Sequence, residues 1–311
     1  MSYRLKPDRS VADELRRIMR KQLDLAVADV HAEGGEPSPQ AVHEARRHVK
    51  KARAALRLCR GALGEQYKTS NRRLRRAARL LAPIADREAV GRAFDELARS
   101  QASALAPAAV ETIRRGLLDL QTATSQQATD RKVPTRAVRQ LEKAGRDIRE
   151  CTIGGDQFDL VAPAFARTLQ RGQAAMAKAL ARPNARRYHA WRRRAKDHWL
   201  QVRLLNDRCG GVLSEDASRL AQLDASLGAC HDLTMLASLP SVRRAVGRSE
   251  AAVVLRLIRR ERTKHRQMAA ALGAALYAET PQASVQRVAL AWRAAEPHDT
   301  SGVKRPCLRI A

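Results

Sequence analysis

The sequence predicts an all-α fold, on three observations. Strand signals are nearly absent while Ala, Leu and Arg dominate, residues that lose little on entering a helix. Glycine and proline cut the chain into segments of helix length. The chain also repeats itself at an offset of 146 residues, the signature of a duplicated unit. With 311 residues and 44% hydrophobic content, it has enough apolar surface to build a sizeable core.

Taken in order, the first helix is expected over residues 8–33, stopped by Gly34-Gly35 with Pro37 and Pro39. The second covers 40–62, ending at Gly61 to Gly64. The third covers 66–98, with Pro83 a point of interruption. A fourth over 104–125 and a closing helix over 134–151 complete the first half, which ends at Gly154-Gly155. The second half mirrors this with 157–182, 184–208, 214–238, 249–278 and 281–295, with breaks near Pro183, Gly210-Gly211, Gly228, Pro240, Gly247, Pro281 and Pro297. An irregular tail is expected from Pro297.

The repeat sets the expected architecture. VHEARRHVKKARAALRL (42–58) aligns with YHAWRRRAKDHWLQVRL (188–204), pairing His43 with His189, Arg46 with Arg192, Arg47 with Arg193, Lys50 with Lys196 and Arg57 with Arg203. LRRAARLLAPIADREAV (74–90) aligns with LAQLDASLGACHDLTML (220–236), pairing Asp86 with Asp232. PTRAVRQLEKAGR (134–146) resembles PQASVQRVALAWR (281–293). The first helices match more weakly, with Val11, Arg17 and Lys21 against Val161, Arg167 and Arg171. The expectation is a duplicated helical bundle of two pseudo-symmetric halves, residues 1–155 and 156–311, each of about four to five helices and together one domain.

Charge narrows the partners. Lys and Arg outnumber Asp and Glu 59 to 32, for a net +27, and the excess is shared between the halves, not confined to a tail. Such a charge attracts nucleic acid, an anionic membrane surface or a phosphate polymer. Aromatic residues are only 3%, few for base-stacking platforms. No apolar run approaches the ~20 residues that span a bilayer. Five cysteines without CxxC spacing, and no signal-like N-terminus, give the expectation of reduced thiols and a cytoplasmic protein.

On a helical wheel, Val42, Ala45, Val49, Ala52, Leu56 and Cys59 form a core stripe. His43, Arg46, Lys50, Arg53 and Arg57 form a second stripe centred about 100° away, bordering the core, while Arg47 and Lys51 lie farther round. The second copy places Trp191, Ala195, His198 and Val202 inward and His189, Arg192, Lys196 and Arg203 beside them, with Trp199 at the position of Arg53. From His43 to Arg57 the row runs roughly 21 Å. Like charges at i,i+3 and i,i+4 repel, so a row without interleaved acids suits a linear anion. The candidate contacts are His43, Arg46, Arg47, Lys50, Arg53 and Arg57 with His189, Arg192, Arg193, Lys196 and Arg203, joined by Arg17, Lys21, Arg167 and Arg171. The two histidines suit either anion contact or a structural hydrogen bond. Asp86 and Asp232 suit helix caps or partners for His and Arg.

The VHxxRxxxKK…R row, its YHxxRxxxK…R copy and LGACHD at 227–232 resemble the CHAD domain, the conserved histidine α-helical domain, over residues 8–295. The resemblance implies two pseudo-symmetric helical bundles with a basic surface between them. It also implies binding of inorganic polyphosphate and, for some members, association with polyphosphate granules. Many members are fused to a triphosphate-processing domain of the CYTH type. No ExExK motif is present here, so a stand-alone binding module is expected. The first half departs from the pattern, with IADRE where the second has CHDLT.

The expected function is therefore binding of inorganic polyphosphate, or another linear polyanion, through basic helix faces. The alternative is a nucleic-acid-binding basic helical protein, although no helix-turn-helix, zinc or RRM signature is present. There is no GxxxxGK[ST] loop, no acid cluster on the cationic stripe and no Ser/Cys–His arrangement in a convincing context. Catalysis, a metal and a cofactor are accordingly not expected.

Overall fold

The computed structural model describes residues 3–31, 37–155, 157–244 and 248–295. The breaks expected at Gly34-Gly35 and Gly247, the tail from Pro297 and Cys307 lie outside the described residues. Among those described, twelve α-helices and no strand occur. They are α1 (Val11–Val30), α2 (Pro39–Leu58), α3 (Arg60–Leu80), α4 (Ala82–Ser100), α5 (Pro107–Asp130) and α6 (Val133–Glu150), then α7 (Phe158–Ala181), α8 (Ala185–Leu205), α9 (Ser214–Ser238), α10 (Pro240–Arg244), α11 (Arg248–Leu276) and α12 (Pro281–Ala295). The all-α class holds.

Local chemistry sets the helix ends. Ser10, Ser38 and Asn184 each accept a hydrogen bond from the backbone N–H three residues on, satisfying an orphan donor of the first turn. Proline occupies the first turn of α2, α4, α5 and α6, where its missing N–H costs nothing. The segment expected over 66–98, with Pro83 as a point of interruption, is two helices, because Pro83 sits in the first turn of α4. In the second copy Ala229 stands where Pro83 does, and α9 runs unbroken through the corresponding stretch, so the break expected near Gly228 does not occur: a glycine without a proline beside it stays helical. Pro240, expected as a break, opens the short α10.

Several helix pairings correspond across the 146-residue offset. α1 packs on α2 and α7 on α8, α1 on α6 and α7 on α12, α4 on α5 and α9 on α11. α3 also packs along α6. Across the halves, α4 meets α9, and α2 meets α7 and α8.

The apolar interior follows those crossings and forms two clusters. One gathers Leu15, Val49, Leu56, Leu141, Phe165, Trp191, Leu223 and Trp292. The other gathers Phe94, Ile113, Leu236, Val242, Val254 and Ile258. Each draws on residues from both sides of Gly154-Gly155. The N-terminal segment adds a further tie: Leu5 N–H donates to the Leu204 carbonyl at 3.0 Å, and the Arg208 guanidinium donates to the carbonyls of Lys6, Pro7 and Arg9. The four described cysteines are free and buried. Among the described residues no helix is long and apolar enough to cross a membrane.

Candidate anion-binding site

The two stripes read from the sequence occupy the expected faces of α2 and α8. Val42, Ala45, Val49, Ala52, Leu56 and Cys59 are at most 1% exposed, and Trp191, Ala195, His198 and Val202 at most 3%. The neighbouring row, His43, Arg46, Lys50, Arg53 and Arg57 with His189, Arg192, Lys196 and Arg203, is half-buried, while Arg47 and Arg193 are exposed.

Packing of α2 on α8 brings the two rows together. Arg57 of α2 donates to Asp197 of α8 at 2.7 Å, across 140 residues of chain. Lys50 lies in the electrostatic surroundings of Arg46, Arg192 and Lys196, with Asp224 the opposing charge. Burial first, then those cations, push its ammonium down to about 8. Burial, with Arg57 beside it, lowers Arg53 to about 10, so it remains charged at neutral pH.

The row lacks interleaved acids in sequence, but neighbouring helices supply them. Arg46 donates to Asp86 of α4 at 2.7 Å and to the Ala82 carbonyl at 3.2 Å. Lys196 donates to Asp224 of α9 at 2.6 Å. Arg192 stands 3.9 Å from Asp232, beyond hydrogen-bond range. Lys50 has no carboxylate partner among the described residues. Of the four cations in the two HxxRxxxK motifs, Lys50 from α2 and Arg192 from α8 are the two without a hydrogen-bonded carboxylate among the described residues. The Arg192 guanidinium lies against α9 at Gly228, where an added Cβ would meet it in ordinary contact at 3.4 Å.

The imidazoles complete the centre. His189 Nδ1 lies 3.3 Å from His231 Nδ1, with ring centroids 4.6 Å apart. One ring donates and the other accepts, which two imidazolium rings cannot do. Burial, then Arg192 and His189, press His231 down to about 4, and burial with Arg193 and Arg192 lowers His189. Asp86 acts on both rings across the boundary between the halves. Burial raises Asp232 against the pull of Arg192. His43 lies near Arg92 and Glu88 and is lowered mainly by burial. Among the described residues no group of three or more His, Cys, Asp or Glu is arranged to hold a metal ion.

Other candidates sit at or beyond the edge. Arg203 lies over Trp199 at 5.0 Å, and Lys196 covers the same ring at 4.0 Å, so Trp199 supports two cations by cation–π contact. Arg47 pairs with Glu44 at 2.7 Å. Arg17 grips Glu14, which is 1% exposed, through two hydrogen bonds, and so neutralises a buried acid at the foot of α1. Lys21 is half-buried, and Arg167 and Arg171 are exposed on α7. Arg171 reaches the edge of the cluster through the surroundings of Arg194.

The row-based reading missed Asp224, Asp197, Arg92 and His231 as parts of this centre. The LGACHD segment was the available signal. Its Leu227 is buried, Gly228 receives Arg192, His231 binds His189 and Asp232 faces Arg192. A family model described as the CHAD domain matches residues 17–241. None of the curated proteins compared with the chain matches it.

Proposed function

Because the chain belongs to the CHAD domain family, which is associated with polyphosphate binding, we propose that it binds inorganic polyphosphate where α2 meets α8. The observation that carries this reading is the clustering of Arg46, Lys50, Arg192 and Lys196 from two helices, where burial first and the neighbouring cations second hold the Lys50 ammonium well below its ordinary range. An anion seated there relieves repulsion that the apo protein carries. A chain of phosphates has charge and linear spacing but no bases, so cationic helix faces suffice to hold it. Guanidinium grips phosphate oxygens bidentately, and ammonium acts as a point charge. The reading is binding without turnover. It is set in the cytoplasm, with recruitment to polyphosphate granules, and the buried free thiols suit a reducing compartment.

The test is a titration with long-chain polyphosphate and with duplex DNA at equal phosphate concentration and two salt concentrations. Tighter binding of polyphosphate, weakening steeply with salt, is expected. Equal or tighter binding of DNA would favour the nucleic-acid alternative. Orthophosphate release by the pure protein would overturn binding without turnover.

A further inference from the structure

A second cationic surface lies outside the two repeated rows, between α3 and α6. A cleft of about 130 Å³ is lined by Arg76, Leu80, Arg136, Arg139 and Gln140. A wider one, about 500 Å³, is lined by Arg72, Arg76, Arg79 and Leu80. They share Arg76 and Leu80 and so adjoin along α3, together forming the α3–α6 groove. The helices that carry it are fixed by packing: Leu74 and Ala77 of α3 and Ala137, Val138 and Leu141 of α6 are buried. One ion pair clamps its walls, with Arg73 donating to Asp147 and to the Lys143 carbonyl.

The five guanidiniums of the groove lack the acids that answer several of the chain's other surface cations. There an acid one turn away meets the charge, as in Arg16–Asp13, Lys68–Glu65, Arg92–Glu88, Arg115–Glu111 and Arg219–Glu215. Arg72, Arg76, Arg79, Arg136 and Arg139 are exposed, and none makes an ion pair among the described residues. Glu142, one turn from Arg139, does not pair with it either. Spacings of i,i+4 and i,i+3 within α3, and i,i+3 within α6, set like charges side by side at a cost of a few tenths of a kcal/mol per pair.

The groove also points somewhere. From Arg72 to Arg79 it follows α3 for roughly 10 Å. It ends beside Leu80, two residues before Ala82, whose carbonyl accepts the Arg46 hydrogen bond. We infer that the α3–α6 groove is a track that carries a long polyphosphate chain onward from the central site, a role that rests on the function proposed above. Short chains fill the centre alone; long chains run along α3 as well.

The experiment uses the full chain with Arg72, Arg76, Arg79, Arg136 and Arg139 all changed to Gln, titrated with tripolyphosphate and with long-chain polyphosphate. Long-chain affinity is expected to fall by about tenfold or more, with a salt slope flatter by up to about 3, while tripolyphosphate binding is unchanged. Arg76→Glu alone, at the residue both clefts share, gives the same selective loss on a smaller scale and does not depend on the fivefold variant folding. Long-chain affinity equal to wild type in both variants overturns the track but leaves the central site standing. Equal losses for short and long chains also overturn it. Wild-type protein that binds neither probe removes the function and the track together.

Discussion

The same HxxRxxxK row occurs on α2 and α8, yet the structure treats its two cations in opposite ways. On α2 the arginine is held, Arg46 to Asp86 at 2.7 Å, and the lysine has no carboxylate partner among the described residues. On α8 the lysine is held, Lys196 to Asp224 at 2.6 Å, and Arg192 stands off from Asp232 at 3.9 Å. The cause lies in the helices opposite. Asp224 corresponds by offset to Ala78, and His231 to Ala85, so the first half lacks both the acid for Lys50 and the imidazole for His43. A repeated motif thus preserves positions, while neighbouring side chains decide which charge is free. The two freer charges, one from each half, lie in each other's electrostatic field.

The largest effect should come from removing both freer cations. Lys50→Gln with Arg192→Gln is expected to weaken polyphosphate binding by about a hundredfold or more, since each charge-assisted contact is worth about 1.5–3 kcal/mol. Lys196→Gln, which strands Asp224, should cost thermal stability more than affinity. Lys196→Gln matching Lys50→Gln in binding at unchanged melting temperature would break the inverse assignment.

Making the halves alike should have the next effect. Ala78→Asp places an acid opposite Lys50, as Asp224 stands opposite Lys196. Binding should fall by about tenfold, the equivalent of one weakened charge contact, and the Lys50 pKa should rise from about 8 toward the ordinary range, as read by NMR. An unmoved Lys50 would mean that the offset does not carry the pairing geometry.

Stability should move the other way from binding. Lys50 has its folded pKa lowered from 10.5 to about 8, so the unfolded chain binds more protons between those values and stability rises with pH there. Below that window the cost of the buried ammonium is fully present. Lys50→Met should therefore stabilise the ligand-free protein at neutral pH by about 1–2 kcal/mol in denaturant unfolding, discounted for partial exposure. A destabilised variant would show that Lys50 is supported by contacts other than a ligand.

The smallest effect belongs to the imidazole pair that only the second half has. His231 is lowered from 6.5 to about 4, so as pH falls through that interval the unfolded chain takes up protons that the native pair refuses, and stability declines. His231→Ala, which copies Ala85, should flatten this decline by about 1 kcal/mol. An unchanged profile would assign the acid sensitivity to other groups.

Much of this was legible in the sequence. Many helix boundaries followed from Gly, Pro and capping residues, and α9 ends where the sequence placed it, at residue 238, but α2 stops at Leu58 and α3 starts at Arg60, ahead of the break expected at Gly61 to Gly64. The core stripe of α2 and its neighbouring cations followed from the period of 3.6. The join at Leu81 in the 66–98 segment was visible only as Pro83. The acids that answer the rows were harder to see, because none lies on the row itself. The α3–α6 groove was not visible, because Arg76 and Arg136 belong to helices with no shared motif.

The sequence by itself determined the helices, their buried faces, the paired cation rows and the family, because these depend on residues within a few turns of one another. Tertiary structure alone decided which cations are neutralised, that His189 meets His231, and that both apolar clusters draw on both halves. Those outcomes depend on side chains brought together from 28 residues apart, as with Lys196 and Asp224, to 140 apart, as with Arg57 and Asp197. Charge and burial act through space at a few ångströms, and helical periodicity carries no record of which distant residue arrives there.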